Sequence, residues 1–474
     1  MKRLLKTISF CTAGIIVLVL IVATILENLC GPAFAIDNIY HSAWFIALWA
    51  LLATTGIAYI VRTKRRGSLI VLHASLAMVL LGALVTFLTA RHGDITLAKD
   101  GAPASMFEMR DGTLQKLPFR LQLVDIDTIY SKNGTQSDYR AHITADDRME
   151  RSVEYTASLN SPMKIKGYSF CIKGMSDGNL SLLAAHDPFG RPISYTGYVM
   201  VCISFLLLFF DKKSGFNTLL YKLKGESGKR KGRLYQLSVF RSHLSSFTFY
   251  LSALIVLPVS FMFLCILWHG RGVFPATNGS EALMLLVLFV MLLAVALRSK
   301  KEFALLRRVL VVVASGIAVA AGVCGFDGNG DVQPILRTPL LGIHVTTIII
   351  AYALLACTAV NAVIALCTKD ERKSERQALL GRLLLYPATM LLAGGIFIGA
   401  VWANISWGRY WGWDPKEVWA LITLLVCSIG FHAQSLPFIA RPKAFHIFCI
   451  VAFAAVLFTF FGVNWLLGGL HSYM

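Results

Sequence analysis

Apolar residues in this chain come in long, nearly unbroken runs separated by short polar stretches. A helix needs roughly 20 mostly apolar residues to cross about 30 Å of hydrocarbon. Eleven windows approach that need, near 8–27, 43–61, 69–90, 193–210, 245–268, 282–297, 309–325, 341–367, 385–403, 418–436 and 443–465. The first follows Met1-Lys2-Arg3 and lacks a small-residue cleavage site, so it reads as a retained span rather than a removed signal peptide. Between the third and fourth windows the pattern changes. Apolar and polar positions alternate at Phe119–Val124, Tyr139–Thr144 and Lys164–Ile172, with turn signals at Asn133-Gly134 and Asp177-Gly178; such alternation predicts strands. The expected fold is an all-α polytopic membrane protein of about eleven spans with one small β-rich extracytoplasmic domain.

Composition narrows the class. Of the 474 residues 56% are hydrophobic and 15% charged, against about a quarter charged in soluble domains, which argues against a soluble globular enzyme. Lys and Arg number 45 against 26 Asp and Glu, a net charge of +19. Positive loops stay in the cytoplasm, so the excess can be sorted by loop. With the N-terminus inside, the inside segments hold 28 basic residues and the short outside loops four, Arg271, Arg337, Arg409 and Lys416. The remaining 13 lie in residues 91–192, and long translocated segments largely escape the rule. The expected topology is N-in and C-out. The basic run Lys212–Arg241 is expected to lie at anionic lipid and not on nucleic acid. The chain then divides into three spans (1–90), the extracytoplasmic domain (91–192), a fourth span (193–210), a basic cytoplasmic linker (211–244) and a second membrane domain (245–474).

The most unusual stretch is 402–419, which holds Trp402, Trp407, Trp411, Trp413 and Trp419, five of the nine tryptophans, along with Tyr410. One Trp at a membrane interface is ordinary, but five in eighteen residues exceed what anchoring a helix end requires. Flat apolar surface of this kind suits a flat apolar ligand such as a porphyrin. Asp414-Pro-Lys-Glu417 also reads as a capping box opening a helix, with Asp at the cap and Pro at the first position. Histidines give a second signal, because a titratable group inside a span is costly and neutral imidazole ligates haem iron well. His344 and His471 fall at the level of the Trp-rich loop, while His73 and His432 share a depth near the opposite face. Depth alone does not choose between His432 and His446 there. His41, His92, His243 and His269 lie at interfaces where hydration is the default, and His142 and His186 carry no metal spacing.

Other chemistries find no support. Phosphate-loop, G-x-S-x-G and H-E-x-x-H motifs are absent from the sequence. Asp327-Gly-Asn-Gly-Asp331 is like a calcium loop but has Thr338 where a bidentate Glu belongs, and is expected to be a polar turn. The ten cysteines include no C-x-x-C pair, which excludes a thioredoxin-like centre, a zinc ribbon and a covalently held c-type haem.

Trp407-Gly-Arg-Tyr-Trp-Gly-Trp-Asp-Pro-Lys-Glu-Val-Trp419 resembles the WWD signature of the haem-handling superfamily of cytochrome c maturation. The ending from Phe461 through Gly469-Leu-His471-Ser-Tyr473 is similar to that of CcsA (ResC) of System II. His73 with the run to Gly82-Ala83, Leu117-Pro-Phe119, Asn160-Ser-Pro162, Lys166-Gly-Tyr168 and Asp187-Pro188 resemble the partner CcsB (ResB). The resemblance covers nearly the whole chain and has the look of a natural CcsB/CcsA fusion, with a shorter outside domain than is typical. It implies a holocytochrome c synthase (cytochrome c haem lyase) in the cytoplasmic (inner) membrane, with the active loop on the periplasmic side. Such a protein moves haem b outward and joins it, as ferrous haem, to the CxxCH motif of apocytochrome c. Carried over by residue, His344 and His471 match outer haem-iron ligands, His73 and His432 an inner pair, and Trp402, Trp407, Trp411, Trp413 and Asp414 the haem-binding loop. Implied partners are apocytochrome c, membrane lipid and thiol-reducing pathway proteins. A haem transporter that hands its cargo to a separate ligase would share every one of these histidines.

Overall fold

The computed structural model describes the chain apart from residues 64–66, 131–133, 135, 148–151, 177, 229–238, 300–302, 324–331, 434 and 468–474. The Asp327–Asp331 turn, Cys324, Lys229-Arg230-Lys231 and His471 therefore lie outside the described residues.

Helices overlie every apolar window. α1 (Lys2–Cys30), the short α2 (Pro32–Ala35) with a π turn over Ile36–Tyr40, α3 (Ala43–Arg62) and α4 (Gly67–Thr89) precede a sheet domain. After it come α5 (Gly190–Phe210), α6 (Gly215–Gly228), α7 (Val239–Arg271), α8 (Gly279–Ala296) and α9 (Ala304–Val323). The chain continues as α10 (Pro339–Leu366), α11 (Glu371–Trp407), α12 (Pro415–Ile429), the short α13 (Pro437–Ala440) and α14 (Pro442–Leu457), which runs on into a π segment, Phe458–Leu467. Among the described residues eight helical segments are long and apolar enough to cross a membrane. The tenth window differs from its expectation: α12 is 15 residues long and gives way to a 3-10 turn at Gly430–His432. Its capping box and Pro415 fix the start, and Pro437 lies just beyond its end.

α10 packs along α11 and α14, and α4 along α5. In α1 the buried positions Thr12, Ile16, Leu20 and Ala23 form one stripe, while Leu18 and Val22 on the other side are 63% and 51% exposed. Apolar surface left open over helices of this length is lipid-facing surface. The α4–α5 contact depends on small residues, the means by which membrane helices approach closely. A Cβ on Gly82 would lie 2.6 Å from the Ser194 nitrogen, one on Gly190 2.7 Å from Thr86 Cα, and one on Gly197 2.9 Å from the Val79 nitrogen.

The sheet domain runs from Arg91 to His186 as β1 (Arg91–Ala98), β2 (Ala104–Met109), β3 (Leu114–Tyr130), β4 (Gln136–Asp147), β5 (Ser152–Ser158), β6 (Met163–Ile165), β7 (Tyr168–Ser176) and β8 (Asn179–His186). All neighbours are antiparallel, in the order β5-β4-β3-β2-β1-β8-β7-β6. β5 and β6, at opposite ends of this order, follow each other in the chain, and β5 also contacts β7, so the sheet curls toward a barrel. Leu117, Phe119, Leu121 and Leu123 of β3, Ala141 and Ile143 of β4, and Leu180 and Leu182 of β8 alternate into its core. The single run expected over Lys164–Ile172 is a hairpin instead, because Lys166 (φ 48°) and Gly167 (φ 84°) both turn left-handed, the geometry of a two-residue hairpin turn.

Two outcomes test this account. Gly82→Val should separate α4 from α5 and lower stability by about 1–3 kcal/mol, read as a lower melting temperature in detergent. Gly14→Val, where an added Cβ meets nothing within 4 Å, should melt like the parent. In the sheet, His142 sits between Glu154 (3.0 Å) and Asp127 (3.1 Å), whose hydrogen bonds raise its pKa. Charged His142 therefore favours the folded sheet fully below the ordinary histidine pKa of about 6.5, and the benefit is lost as pH rises through the raised value. Parent and His142→Gln melting curves should accordingly differ at acidic pH and converge at alkaline pH.

Candidate haem-handling site

α4 and the 3-10 turn after α12 bring two distant histidines together. The His73 and His432 rings lie 6.4 Å apart and perpendicular, and Phe10 of α1 closes edge-on against His432 at 5.4 Å. Two imidazoles whose nitrogens sit about 2 Å from one metal on its opposite sides have ring centroids about 6 Å apart, a separation that these two rings match. Each Nδ1 lies 2.9 Å from the carbonyl one turn back, Leu69 O for His73 and Ser428 O for His432. A carbonyl only accepts, so Nδ1 carries the proton and Nε2 the lone pair that binds a metal. His446 is used differently: it is wholly buried, and its Nε2 lies 3.2 Å from Ser374 O and 3.3 Å from Ser374 Oγ. The structure thus pairs His73 with His432 and builds His446 into the packing of α11 with α14.

His344, on α10, rests against α11. Its Nδ1 donates to Gly395 O at 2.7 Å, the same tautomer, and a Cβ on Gly399 would lie 2.7 Å from that nitrogen. His344 does not line the cavity described below.

The Trp-rich loop begins where Gly408 (φ 72°) ends α11 in a left-handed cap. Asp414 opens α12 and is 6% exposed; it accepts from Lys416 N at 3.0 Å, while Glu417 accepts from Asp414 N at 3.3 Å and Gly412 N at 2.8 Å. Trp413 is held at φ 59°, a costly conformation for a bulky residue. Its ring is stacked on Tyr40 at 4.4 Å and 6°, with Phe45 at 5.7 Å and Trp411 at 5.8 Å. Trp402 is 2% exposed and belongs to a core with Trp407, Val332, Leu336 and Leu341.

Trp407, Trp411 and Trp413 line a cavity of about 2150 Å³, large against the 300–1,000 Å³ of ordinary small-molecule pockets; Trp402 and Asp414 do not. The cavity follows α4 from Ser68 to Phe87, roughly 29 Å at about 1.5 Å per residue, and His73 and His432 share it with the loop. Lys2 and Lys6 also line it, as do His41, His92 and Arg409. Interface position had suggested hydration for His41 and His92; folding turns both onto the cavity. Burial, opposed by the Asp187 carboxylate, lowers the His92 pKa, so its neutral form prevails at neutral pH. Tyr40, Phe45 and Phe10 gave no sequence signal, because nothing in one helix shows which distant ring it will meet.

A helical membrane protein with an aromatic loop and paired histidines around one apolar cavity is the class these features define. Residues 276–471 match the family described as Cytochrome C assembly protein, and residues 62–196 match the ResB-like family. Protein NrfI of Wolinella succinogenes is 36% identical over 157 residues, 30% of this chain and 17% of NrfI. Cytochrome c biogenesis protein CcsA of Solanum lycopersicum is 28% identical over 250 residues, covering 44% of this chain and 79% of that protein. CcsA of Chlamydomonas reinhardtii is 33% identical over 230 residues, 45% of this chain and 64% of that one. A ResB-like segment thus precedes a cytochrome c assembly segment in one chain, an arrangement consistent with a fused CcsB/CcsA protein of System II.

The capping geometry makes a prediction about Asp414. Asp414→Ala should cost about 1 kcal/mol, seen as a lower melting temperature, whereas Asp414→Asn keeps an oxygen acceptor and should melt close to the parent.

Proposed function

We propose that this protein is a cytochrome c synthase: it takes haem b at the inner side of the cytoplasmic membrane and joins it covalently to apocytochrome c at the outer side. The observation that carries the reading is the single cavity shared by the His73–His432 pair and the Trp407–Trp413 loop. The ends of that cavity lie at the two levels which an N-in, C-out topology of eleven spans assigns to opposite faces. On this reading residues 1–90 and 193–210 are ResB-like spans, 91–192 stand in the periplasm, 211–244 form a cytoplasmic linker, and 245–474 form the CcsA-like domain.

Haem is substrate in this scheme. His73 and His432, with lone pairs on Nε2, hold it first; the aromatic loop then receives the ring while His344 and His471 ligate the iron. The histidine of the incoming CxxCH displaces one of those two. Each thioether forms by adding a cysteine S–H across a vinyl double bond. Sulfur bonds the carbon next to the ring, hydrogen goes to the terminal carbon, and no electrons are gained or lost overall. Two axial imidazoles help keep the iron ferrous and closed to adventitious ligands, and positioning supplies much of the rate. Thiol-reducing proteins would keep the CxxCH cysteines as thiols.

Purified protein should show a bound-haem absorption spectrum. Co-expression with a CxxCH acceptor, in a host stripped of its own maturation genes, should give covalent haem on a denaturing gel. His344→Ala and His471→Ala should each cut that yield by tenfold or more, about 1.4 kcal/mol or more in barrier, with partial restoration by free imidazole. Bound haem without covalent product would replace the synthase with a transporter, and no haem at all would overturn both.

A further inference from the structure

The aromatic loop is fastened to the ResB-like segment by one directional chain of hydrogen bonds. Asp187, 5% exposed, accepts from Gly190 N at 2.9 Å through one carboxylate oxygen and from Thr86 Oγ1 at 2.7 Å through the other. Having given its proton to Asp187, Thr86 can only accept from the next hydroxyl, and Tyr410 Oη donates to it at 2.6 Å. Tyr410 in turn accepts from Ser194 Oγ at 3.1 Å. Every hydroxyl donates once, and the acceptor-only carboxylate fixes the direction of the whole chain. Chains of this kind strengthen one another in a low-dielectric interior.

Its ends belong to different segments. Thr86, Asp187, Gly190 and Ser194 fall within the ResB-like match, residues 62–196, and Tyr410 within the cytochrome c assembly match, residues 276–471. Tyr410 is 7% exposed and sits in the notch where α4 and α5 approach through Gly82 and Gly190. The next residue, Trp411, lines the cavity.

We infer that Asp187, Thr86 and Tyr410 are positioning residues: the ResB-like segment sets, through this relay, the geometry in which Trp411 and Trp413 present their rings to the ligand. The inference rests on the haem reading of the cavity and deepens it. Tyr410→Phe and Thr86→Val should each lower covalent haem yield about tenfold, the loss expected for one hydrogen bond in a charge-terminated chain. Each should also alter the absorption and resonance Raman bands of loop-bound haem, in a His73→Ala background that removes the inner pair. Thr86→Ser, which keeps the hydroxyl, should restore both readouts. The Thr86→Val/Tyr410→Phe double variant should be no worse than either single one, because both cut the same chain. Parent-like yield and bands in the single variants would overturn the inference. So would additive losses, or a Thr86→Ser variant as impaired as Thr86→Val. Were the parent to bind haem without forming covalent product, the synthase reading would fail while the band shifts still decided the positioning role.

Discussion

Water is absent from the middle of a bilayer, so each polar group there must find its partner within the protein. The hydroxyls of Thr55, Ser75, Ser204 and Thr389 solve this locally, each bonding a carbonyl three or four residues back. His73 and His432 use the same device with Nδ1. The device is generic, yet in an imidazole it has a chemical result: with one nitrogen committed as donor, the other is left as a metal-binding base. The demand that the membrane makes on every buried polar group thus places the lone pair of both rings on Nε2 without any dedicated orienting carboxylate.

Much of the fold was legible because length and period are one-dimensional signals. Helices appear where apolar runs appear, and β3, β4 and β7 where alternation predicted strands. What escaped were places where a local backbone choice outweighed the pattern. Lys166-Gly167 turned a continuous strand into a hairpin, and α11 begins at Glu371, well before its apolar window, because Asp370 caps a charged first turn. The 3-10 turn that delivers His432 is likewise invisible in a hydropathy profile, since it changes the direction of a side chain without changing its depth.

The candidate site was legible to the same extent. Depth placed His73 beside two rivals, His432 and His446, and only azimuth separates them: one ring meets His73, the other meets Ser374. Five tryptophans within eighteen residues announced the loop, but not that Trp402 would enter a core while its neighbours faced a cavity. Asp414 kept the helix-start role its spacing suggested. Rings from far along the chain, Tyr40 and Phe45 above all, complete the aromatic surface through contacts no motif encodes.

Tyr40 lies outside both family matches, yet the left-handed backbone of Trp413 is held against its ring. Strain of that kind persists only where surrounding contacts hold it, and the Tyr40 stack is one of them. In a continuous polypeptide the partner is always at hand, because tethering makes docking intramolecular, with an effective concentration on the order of millimolar for short linkers. A modest stacking contact can then hold a strained loop permanently. If the N-terminal helices were supplied as a separate chain, the same contact would have to survive dilution in the plane of the membrane. Covalent continuity between Tyr40 and Trp413 therefore favours the stack that accompanies the loop's strained backbone, and the shape of the aromatic surface draws on residues far outside the motif.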